Sequence, residues 1–524
     1  MSSDTRYSAL PDSETSAQRG QSSPTSPNTT SSNHAALFAR ASVYCATAFV
    51  FTCLLLSILP SSSLSPSLAS SSASFSKGLP AENRRDRTMS EATCRTEFPL
   101  FFPQLEQNLA AWKAKGGISY THLDEAARTC ATNWGMARVV IRDGQLFLRQ
   151  VREGGESRTS ALLHLLHTAV TSDPSSIPSL ASALRKNFNS TTGIELVLSE
   201  ADKDASASSD AVWVLAKKTS EHASKGTWLL PDFGFASWPE AGIPSFEEYS
   251  RLASLQDHLS PWHAKSDRVL WRGLANGYSP RVDLLSRTKV AGAESWADVK
   301  QTSFHDKGDE FFPLIPMHQH CRSKYLIQTE GNSYSGRGKY LWSCRSVTIS
   351  HPLEWTQHFH PALNSNPRSP EQNYVQLPGP LFSGLEETIL ALQKSADAPT
   401  DQDVVYESST TGRLGGLGRN PPQRIADNAV ESLRNRYLTP AATMCYIRAA
   451  LKAYSQVLNV DTWPRDDTAA AWDQGGVGIV PHGGPGGGVA PGSGKKADLK
   501  TLGVKGDIEY GVWRLSGSPD WPPQ

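Results

Sequence analysis

The chain has 524 residues and a formal net charge of zero, because 51 Lys and Arg balance 51 Asp and Glu. This balance excludes the broad positive surface of most nucleic-acid-binding proteins, so we expect no nucleic-acid partner. Charged residues (19%) and apolar residues (38%) are both scarce for a globular chain, which predicts that part of the chain is polar and disordered.

The first 90 residues have the composition of a membrane anchor between two flexible segments. Residues 1–40 are rich in Ser, Thr, Pro and Asn, which predicts a disordered tail. Residues 41–59 are uncharged and mostly apolar. As a helix they span roughly 28 Å, about one hydrocarbon core, and we interpret them as a transmembrane signal anchor. The alternative is a buried core helix. Residues 60–90, which are rich in Ser, are the predicted stem.

The charges beside the anchor favour a type II orientation. Arg40 adjoins the span on its N-terminal side, and the positive-inside rule then places the remainder of the chain in a lumen. The wider charge count favours the opposite orientation, since several basic residues follow the stem. If the span is cleaved, the protein is instead soluble and secreted.

Residues 91–460 have the pattern of a folded α/β region. Strands alternate with helices, as in a parallel sheet whose ligands bind at the carboxyl ends of the strands. Residues 461–524 are rich in Gly and Pro and are predicted to be mostly disordered. The predicted segments are a hairpin at 136–151, strands at 194–200, 268–273, 324–331 and 345–350, and helices at 160–170 and 423–438, followed by one further helix through Met444 and Tyr454.

The cysteines fit an oxidising compartment, although their pairing stays open. Two of the seven fall inside the proposed span, and five remain in the folded region. One or two disulfides are therefore expected there. Asn189, in an Asn-Ser-Thr sequence, is a glycosylation acceptor if this region is lumenal. The five cysteines are Cys94, Cys130, Cys321, Cys344 and Cys445.

A strand followed by small and basic residues predicts an anion site. After the strand at 324–328, small residues let the backbone approach a ligand closely, and the N–H groups at the start of the next helix favour an anion. The basic side chains that follow suit a nucleoside diphosphate. The alternative is an ordinary turn with solvated basic residues. The residues concerned are Gly331, Asn332, Ser333, Ser335, Gly336, Arg337, Gly338 and Lys339.

Two more arginines follow another predicted strand. Arg272 lies at the end of the strand at 268–273, and Arg281 follows a loop of Gly, Ser and Pro. Cations at a second strand end suit the same diphosphate.

These two segments resemble the protein O-glucosyltransferase and capsule-associated group, glycosyltransferase family 90. The resemblance rests on WRG followed by a small-residue loop and Arg, and on C-x-x-KYL-x(4)-GNS-x-SGR-x-K, with support from 231–249 and 422–458. It implies a GT-B fold, in which two Rossmann-like halves, here 91–255 on the acceptor side and 256–460 on the UDP-sugar side, hold the donor between them. It further implies inverting transfer of glucose or xylose from UDP-glucose or UDP-xylose to a protein or glycan hydroxyl, usually without a metal, in the Golgi or endoplasmic reticulum.

The resemblance also assigns roles to residues. It places Arg337 and Lys339, with Arg272 and Arg281, around the diphosphate. The family's catalytic Asp ends an early strand, which here gives the role of general base to Asp202. Asp204 is the rival for that role. Trp238 is a candidate for stacking on an acceptor sugar, and a core role for it is equally open.

Two alternatives compete with this interpretation, a metal site and an inactive scaffold. Asp202 and Asp204 form a D-x-D sequence, which suits Mn²⁺ or Mg²⁺ on a UDP-sugar, although we expect no required metal or other cofactor. His318, His320 and Cys321 resemble a soft-metal cluster but lack an evident fourth ligand. A catalytically inactive sugar-binding scaffold on the same fold is the second alternative.

Overall fold

The fold is known from a computed structural model, which describes part of the chain. The predictions for residues 1–59, Asn189 and Asp204 lie outside the described ranges. Among the described residues, no helix has both the length and the apolar character needed to cross a bilayer. The described residues are 77–131, 135–142, 144–152, 154, 157–173, 193–203, 209–220, 225–303, 308, 311–395, 421–459 and 507–517.

The end of the predicted stem is packed against the fold. Leu79 and Met89 are buried at 2% and 4% exposure. The N–H of Leu79 donates to the carbonyl of Asn435 at 2.9 Å. The stem prediction is therefore wrong for residues 77–90, because apolar side chains among the polar ones anchor this segment. Three helices follow it: α1 (Glu91–Glu97), α2 (Phe102–Ala114) and α3 (Tyr120–Ala131).

The first large sheet is mixed. Its strands are β1 (Met136–Arg142), β2 (Gln145–Arg152), β3 (Ile194–Ser199), β4 (Val212–Val214), β6 (Trp228–Leu229) and β15 (Ile508–Glu509), in the order β15-β2-β1-β3-β4-β6 among the described residues.

The hairpin explains why this sheet is not wholly parallel. Strand β1 pairs antiparallel with both β2 and β3, whereas β3, β4 and β6 run parallel. Arg142 faces Gln145 across the turn, where Gly144 has a φ of 74°. A connection this short joins only antiparallel strands. Helix α4 (Arg158–Ser172) follows β2 and packs against it.

The second large sheet is parallel, as predicted. Strands β9 (Val269–Gly273), β10 (Ala297–Gln301), β11 (Tyr325–Gln328), β12 (Val347–Ser350) and β14 (Val375–Gln376) lie in the order β10-β9-β11-β12-β14. Because β9 and β11 are adjacent and parallel, the segments that follow them meet at one edge of the sheet. This brings together the two basic segments of the sequence.

Shorter elements and helices connect and cover the sheets. Strand β5 (Lys217–Lys218) pairs with β13 (Trp355–Thr356), and β7 (Ser237–Trp238) pairs with β8 (Ile243–Ser245). The remaining helices are α5 (Phe246–Leu259), α6 (Ser279–Thr288), α7 (Gly338–Leu341), α8 (Leu385–Lys394), α9 (Pro422–Ala429), which continues as a π-helix (Val430–Tyr437), α10 (Pro440–Ser455) and α11 (Tyr510–Leu515).

Residues 507–517, which lie within the tail predicted to be mostly disordered, are folded. Strand β15 extends the first sheet at β2. Asp507 accepts hydrogen bonds from Arg149 at 2.9 and 3.1 Å, and Trp513 is fully buried. A short stretch of apolar residues together with Asp507 therefore anchors 507–517, a signal hidden by the overall Gly and Pro content.

Two disulfides connect the described cysteines. Cys94 pairs with Cys445, which ties α1 to α10, and Cys321 pairs with Cys344. Cys130 is free and buried. The second bridge joins the two ends of the segment that carries the small-residue loop, so it limits how far that loop can move.

We expect the double variant C321S/C344S to lose about 2–4 kcal/mol of the free energy of unfolding, since a loop of this size is no longer closed in the unfolded chain. Denaturant unfolding of the full chain measures the loss. The variant C130S is the control, and an equal loss in that variant would show that the bridge itself contributes little.

Candidate active site

A cleft of about 570 Å³ brings together residues that follow strands of both large sheets. Asp202 and Trp238 come from the first half of the fold, and Arg272, Arg281 and Arg337 come from the second. The wall beside them is apolar. It consists of Leu314, Ile315, Pro316 and Met317.

Arg272 and Arg281 are held in place by backbone carbonyls. Arg272 donates to the carbonyl of Asp298 at 2.6 Å and to its carboxylate at 2.8 Å. Arg281 donates to the carbonyls of Glu330 and Leu274 at 3.1 and 2.9 Å. Because these bonds fix each guanidinium group before a ligand arrives, the groups are preorganised for an anion.

Arg337 lies against the end of strand β9. Its guanidinium donates to the carbonyl of Arg272 and stands 5.4 Å from the centroid of the Trp271 ring. Burial, together with the positive charge of Arg281, lowers the pKa of Arg337 to about 9. A bound anion would relieve this repulsion, so the cluster favours a negatively charged ligand.

One part of the small-residue loop lines the cleft, and another part binds Asp202. Ser335 and Gly336 line the cleft, as predicted. A Cβ at Gly331 would stand 2.6 Å from a guanidinium nitrogen of Arg281, so this glycine leaves room for the arginine. Asn332 and Ser333 do not line the cleft, and they bind Asp202 instead. A direct contact of these two residues with the donor stays a prediction.

Asp202 stands at the end of β3 and is fixed by this loop. The hydroxyl of Ser333 donates to its carboxylate at 2.6 Å, and the amide of Asn332 donates to its carbonyl at 2.6 Å. Burial raises the pKa of Asp202, while the Ser333 hydrogen bond and the charges of Arg158 and Arg281 oppose the rise. Asp202 is thus a carboxylate of increased basicity that faces an anion site.

Lys339 is not part of this cation cluster. Its ammonium group pairs with Asp232 at 2.7 Å, and both side chains are fully buried. It also donates to the carbonyl of Gly336 at 2.7 Å. The diphosphate contact of Lys339 stays a prediction, and this pairing argues against it because the charge of Lys339 is already neutralised inside the protein.

Trp238 lines the cleft, as predicted, and its ring meets that of Phe233 edge to face at 5.3 Å. It is half-buried, so part of its surface remains open to a ligand. Its role toward an acceptor sugar stays a prediction.

His320 belongs to the sequence that resembles a soft-metal cluster without a fourth ligand. It lines the cleft at 3% exposure, and Nδ1 lies 3.1 Å from the carbonyl of Met317. Burial, with the charges of Arg337 and Arg272, lowers the pKa of His320 to about 4. Its ring is neutral at pH 7. In the described part of the chain, no group of three or more His, Cys, Asp or Glu side chains could hold a metal ion.

The family model of glycosyl transferase family 90 matches residues 91–379, more than half of the chain. This chain belongs to glycosyltransferase family 90. Curated relatives agree with this membership. O-glucosyltransferase rumi of Drosophila melanogaster is 26% identical over 233 residues, 43% of this chain and 49% of the relative. Protein O-glucosyltransferase 1 of Homo sapiens is 26% identical over 262 residues, 47% of this chain and 58% of the relative. The chain thus spans about half the length of these relatives.

Sequence reasoning missed two residues at the site of this family 90 member. Glu240 lines the cleft and accepts hydrogen bonds from the N–H and hydroxyl of Ser157 at 2.8 and 3.0 Å. Arg158 acts on the pKa of Asp202. Arg158 comes from a segment without a recognisable motif. Glu240 lies within 231–249, which supports the family resemblance, and its position after Trp238-Pro239 was the available signal.

Proposed function

We propose that the chain is an inverting glycosyltransferase that moves glucose or xylose from UDP-glucose or UDP-xylose to a hydroxyl group. One observation carries the proposal: a fixed carboxylate, Asp202, shares a cleft with the three arginines Arg272, Arg281 and Arg337. The names of the relatives, O-glucosyltransferases, favour glucose as the sugar. The acceptor is a protein or a glycan.

In this proposal the reaction is a single displacement. The acceptor oxygen forms a bond to the anomeric carbon while the bond from that carbon to the diphosphate oxygen breaks. The acceptor proton passes to Asp202, which acts as general base. The leaving UDP gathers negative charge, and the arginines stabilise it. They supply positive charge that other transferases take from a divalent metal, so we propose that no metal is required.

The two sheets fit a GT-B arrangement, which is part of the proposal. In it, the half that ends near residue 255 supplies the base and the acceptor side, and the following half supplies the donor side. The apolar wall at 314–317 is free to contact the nucleoside or the acceptor. We also propose that the enzyme is membrane-anchored and lumenal, in the Golgi or endoplasmic reticulum, where its two disulfides would form.

The test is a thermal titration of the full chain with UDP, UDP-glucose and UDP-xylose, each with and without EDTA. A rise in melting temperature that survives EDTA supports the proposal, and the larger response between the two sugars identifies the donor. A rise that EDTA abolishes supports the Asp202 and Asp204 metal site instead. If no ligand changes the melting temperature, the inactive scaffold is favoured.

Arg337→Ala should weaken UDP binding about ten- to a hundredfold, since a charge-assisted hydrogen bond to the diphosphate is lost. Calorimetric titration of the full-length variant with UDP measures this change. Arg251→Ala is the matched control, because Arg251 is exposed on α5 and pairs with Glu248. Equal UDP affinity in both variants would exclude Arg337 from the diphosphate site.

A further inference from the structure

Tyr334 is a buried residue of the cleft whose hydroxyl makes no hydrogen bond to any residue that the structure describes. It lines the cleft at 4% exposure. Tyr249, by contrast, donates to the carbonyl of Tyr340 at 2.6 Å. Tyr446 donates to the carbonyl of Leu229 at 3.2 Å. Because a buried hydroxyl without a partner costs free energy, the Tyr334 hydroxyl is left for a ligand of the cleft.

The loop that carries Tyr334 is held on both sides of this residue. The Ser333 hydroxyl donates to the Asp202 carboxylate at 2.6 Å. The carbonyl of Ser335 accepts a hydrogen bond from the N–H of Gly338 at 3.0 Å. These two bonds fix the backbone beside Tyr334 before any ligand arrives, so the loop needs no rearrangement to meet one.

Tyr334 lies on the short stretch of chain between the candidate base and the cations. The preceding residue, Ser333, binds Asp202, and Arg337 donates to the carbonyl of Arg272. Ser333 and Arg337 are four positions apart, so their Cα atoms are separated by at most about 14 Å. Asp202, Tyr334 and Arg337 all line one cleft. This stretch therefore runs along the cleft from the base to the arginines.

In the proposed reaction the transferred sugar occupies the space along this stretch. Its anomeric carbon must lie between the acceptor oxygen, whose proton passes to Asp202, and the diphosphate, which the arginines hold. Tyr334 has the largest side chain at positions 334–336. Gly336 has none, and a Cβ there would stand 3.5 Å from the Trp238 ring. Tyr334 is the residue of this stretch that offers both a flat face for a sugar ring and a hydroxyl for its polar groups.

The Tyr334 hydroxyl is a hydrogen-bond donor at neutral pH. Burial raises the pKa of Tyr334 well above its usual value, and the negative charges of Asp232 and Asp202 raise it further. The charge of Arg158 acts in the opposite direction, and Tyr340 again raises the pKa. The side chain therefore stays neutral and keeps its proton for a hydrogen bond.

We propose that Tyr334 binds the sugar that is transferred, and that its hydroxyl donates a hydrogen bond to a hydroxyl of that sugar. This inference rests on the proposed function and adds the residue that recognises the sugar part of the donor. The arginines recognise the diphosphate, which all UDP-sugars share. In the sequence, Tyr334 is the unassigned x of GNS-x-SGR, between residues to which the family resemblance gives roles.

The experiment is a calorimetric titration of the full-length wild type and of Y334F with UDP, UDP-glucose and UDP-xylose. The variant lacks only the hydroxyl. It should bind UDP with wild-type affinity and bind the UDP-sugar that the wild type prefers about three- to tenfold more weakly, the usual effect of one lost hydrogen bond. Unchanged affinity for that UDP-sugar overturns the proposal. An equal loss for UDP also overturns it, because the hydroxyl would then contact the nucleotide.

Y446F is the matched control, since Tyr446 is also buried but is not among the described residues that line the cleft. It loses a hydrogen bond to the protein, so its melting temperature without ligand should fall, whereas that of Y334F should stay unchanged or rise. Its affinity for the UDP-sugar should equal that of the wild type. A fall in Y334F as large as that in Y446F would give the Tyr334 hydroxyl a structural role and overturn the proposal.

The outcomes also separate this inference from the proposed function. A wild-type chain that binds neither UDP nor a UDP-sugar overturns the proposed function, and the inference with it. If the wild type binds a UDP-sugar and Y334F binds it equally well, the inference alone is overturned and the proposed function stands.

Discussion

We expect the replacement of Asp202 with Asn to lower kcat about 10²–10⁴-fold, the usual contribution of a general base, and to leave the affinity for UDP nearly unchanged. The amide keeps the size of the side chain and can still accept the 2.6 Å hydrogen bond from the Ser333 hydroxyl. What it loses is the capacity to take a proton from the acceptor. Loss of the Asp202 charge should change the affinity for UDP little, because the three arginines of the cleft remain in place.

The measurement pairs initial rates of transfer with calorimetric titration by UDP, on the full chain. Asp204→Asn is the matched variant, since it removes a carboxylate of the same type two residues further along the chain. Wild-type rates in D202N would move the base to Asp204 or elsewhere, and a loss in D204N alone would assign it to Asp204. Equal losses in both variants would favour the metal site formed by the pair.

Local sequence patterns were sufficient to predict the strands that carry the site. The hairpin at 136–152 and the strand at 269–273 follow from apolar alternation and turn residues, which act over a few neighbouring positions. The rule that parallel strands end at one sheet edge then predicts that Arg272 and the loop after β11 meet. The cleft that holds Arg272, Arg281 and Arg337 confirms this.

The features that the sequence did not reveal are pairings between residues that are distant in the sequence. The charge of Arg158 lowers the pKa of Asp202, yet helix α4 carries no motif, and the position of Arg158 depends on how this helix packs. Lys339 is only two positions beyond Arg337. Residues spaced by two do not face the same side of a helical turn, so Lys339 and Arg337 point in different directions. The partner of Lys339, Asp232, lies 107 positions away, and no local signal identifies such a pair.

Lys339→Met should therefore cost about 3–5 kcal/mol of the free energy of unfolding, the usual penalty for leaving one buried charge without its partner. Asp232 would keep the hydrogen bonds from the Gln357 side chain at 2.9 Å and the Gly234 N–H at 2.8 Å. Neither of these neutral donors supplies a positive charge. Burial lowers the pKa of Lys339, whereas the charge of Asp232 raises it. Each buried charge is therefore stabilised by the other.

Denaturant unfolding of K339M, D232N and K339M/D232N separates this role from a diphosphate contact. The double variant removes both charges, so its loss should be smaller than the sum of the two single losses. The folded fraction of K339M should bind UDP with wild-type affinity, in contrast to Arg337→Ala. A K339M variant that keeps its stability but binds UDP weakly would return Lys339 to the diphosphate site. A loss of stability in K339M with unchanged UDP affinity would limit the diphosphate site to the three arginines. These arginines line the cleft, whereas Lys339 does not.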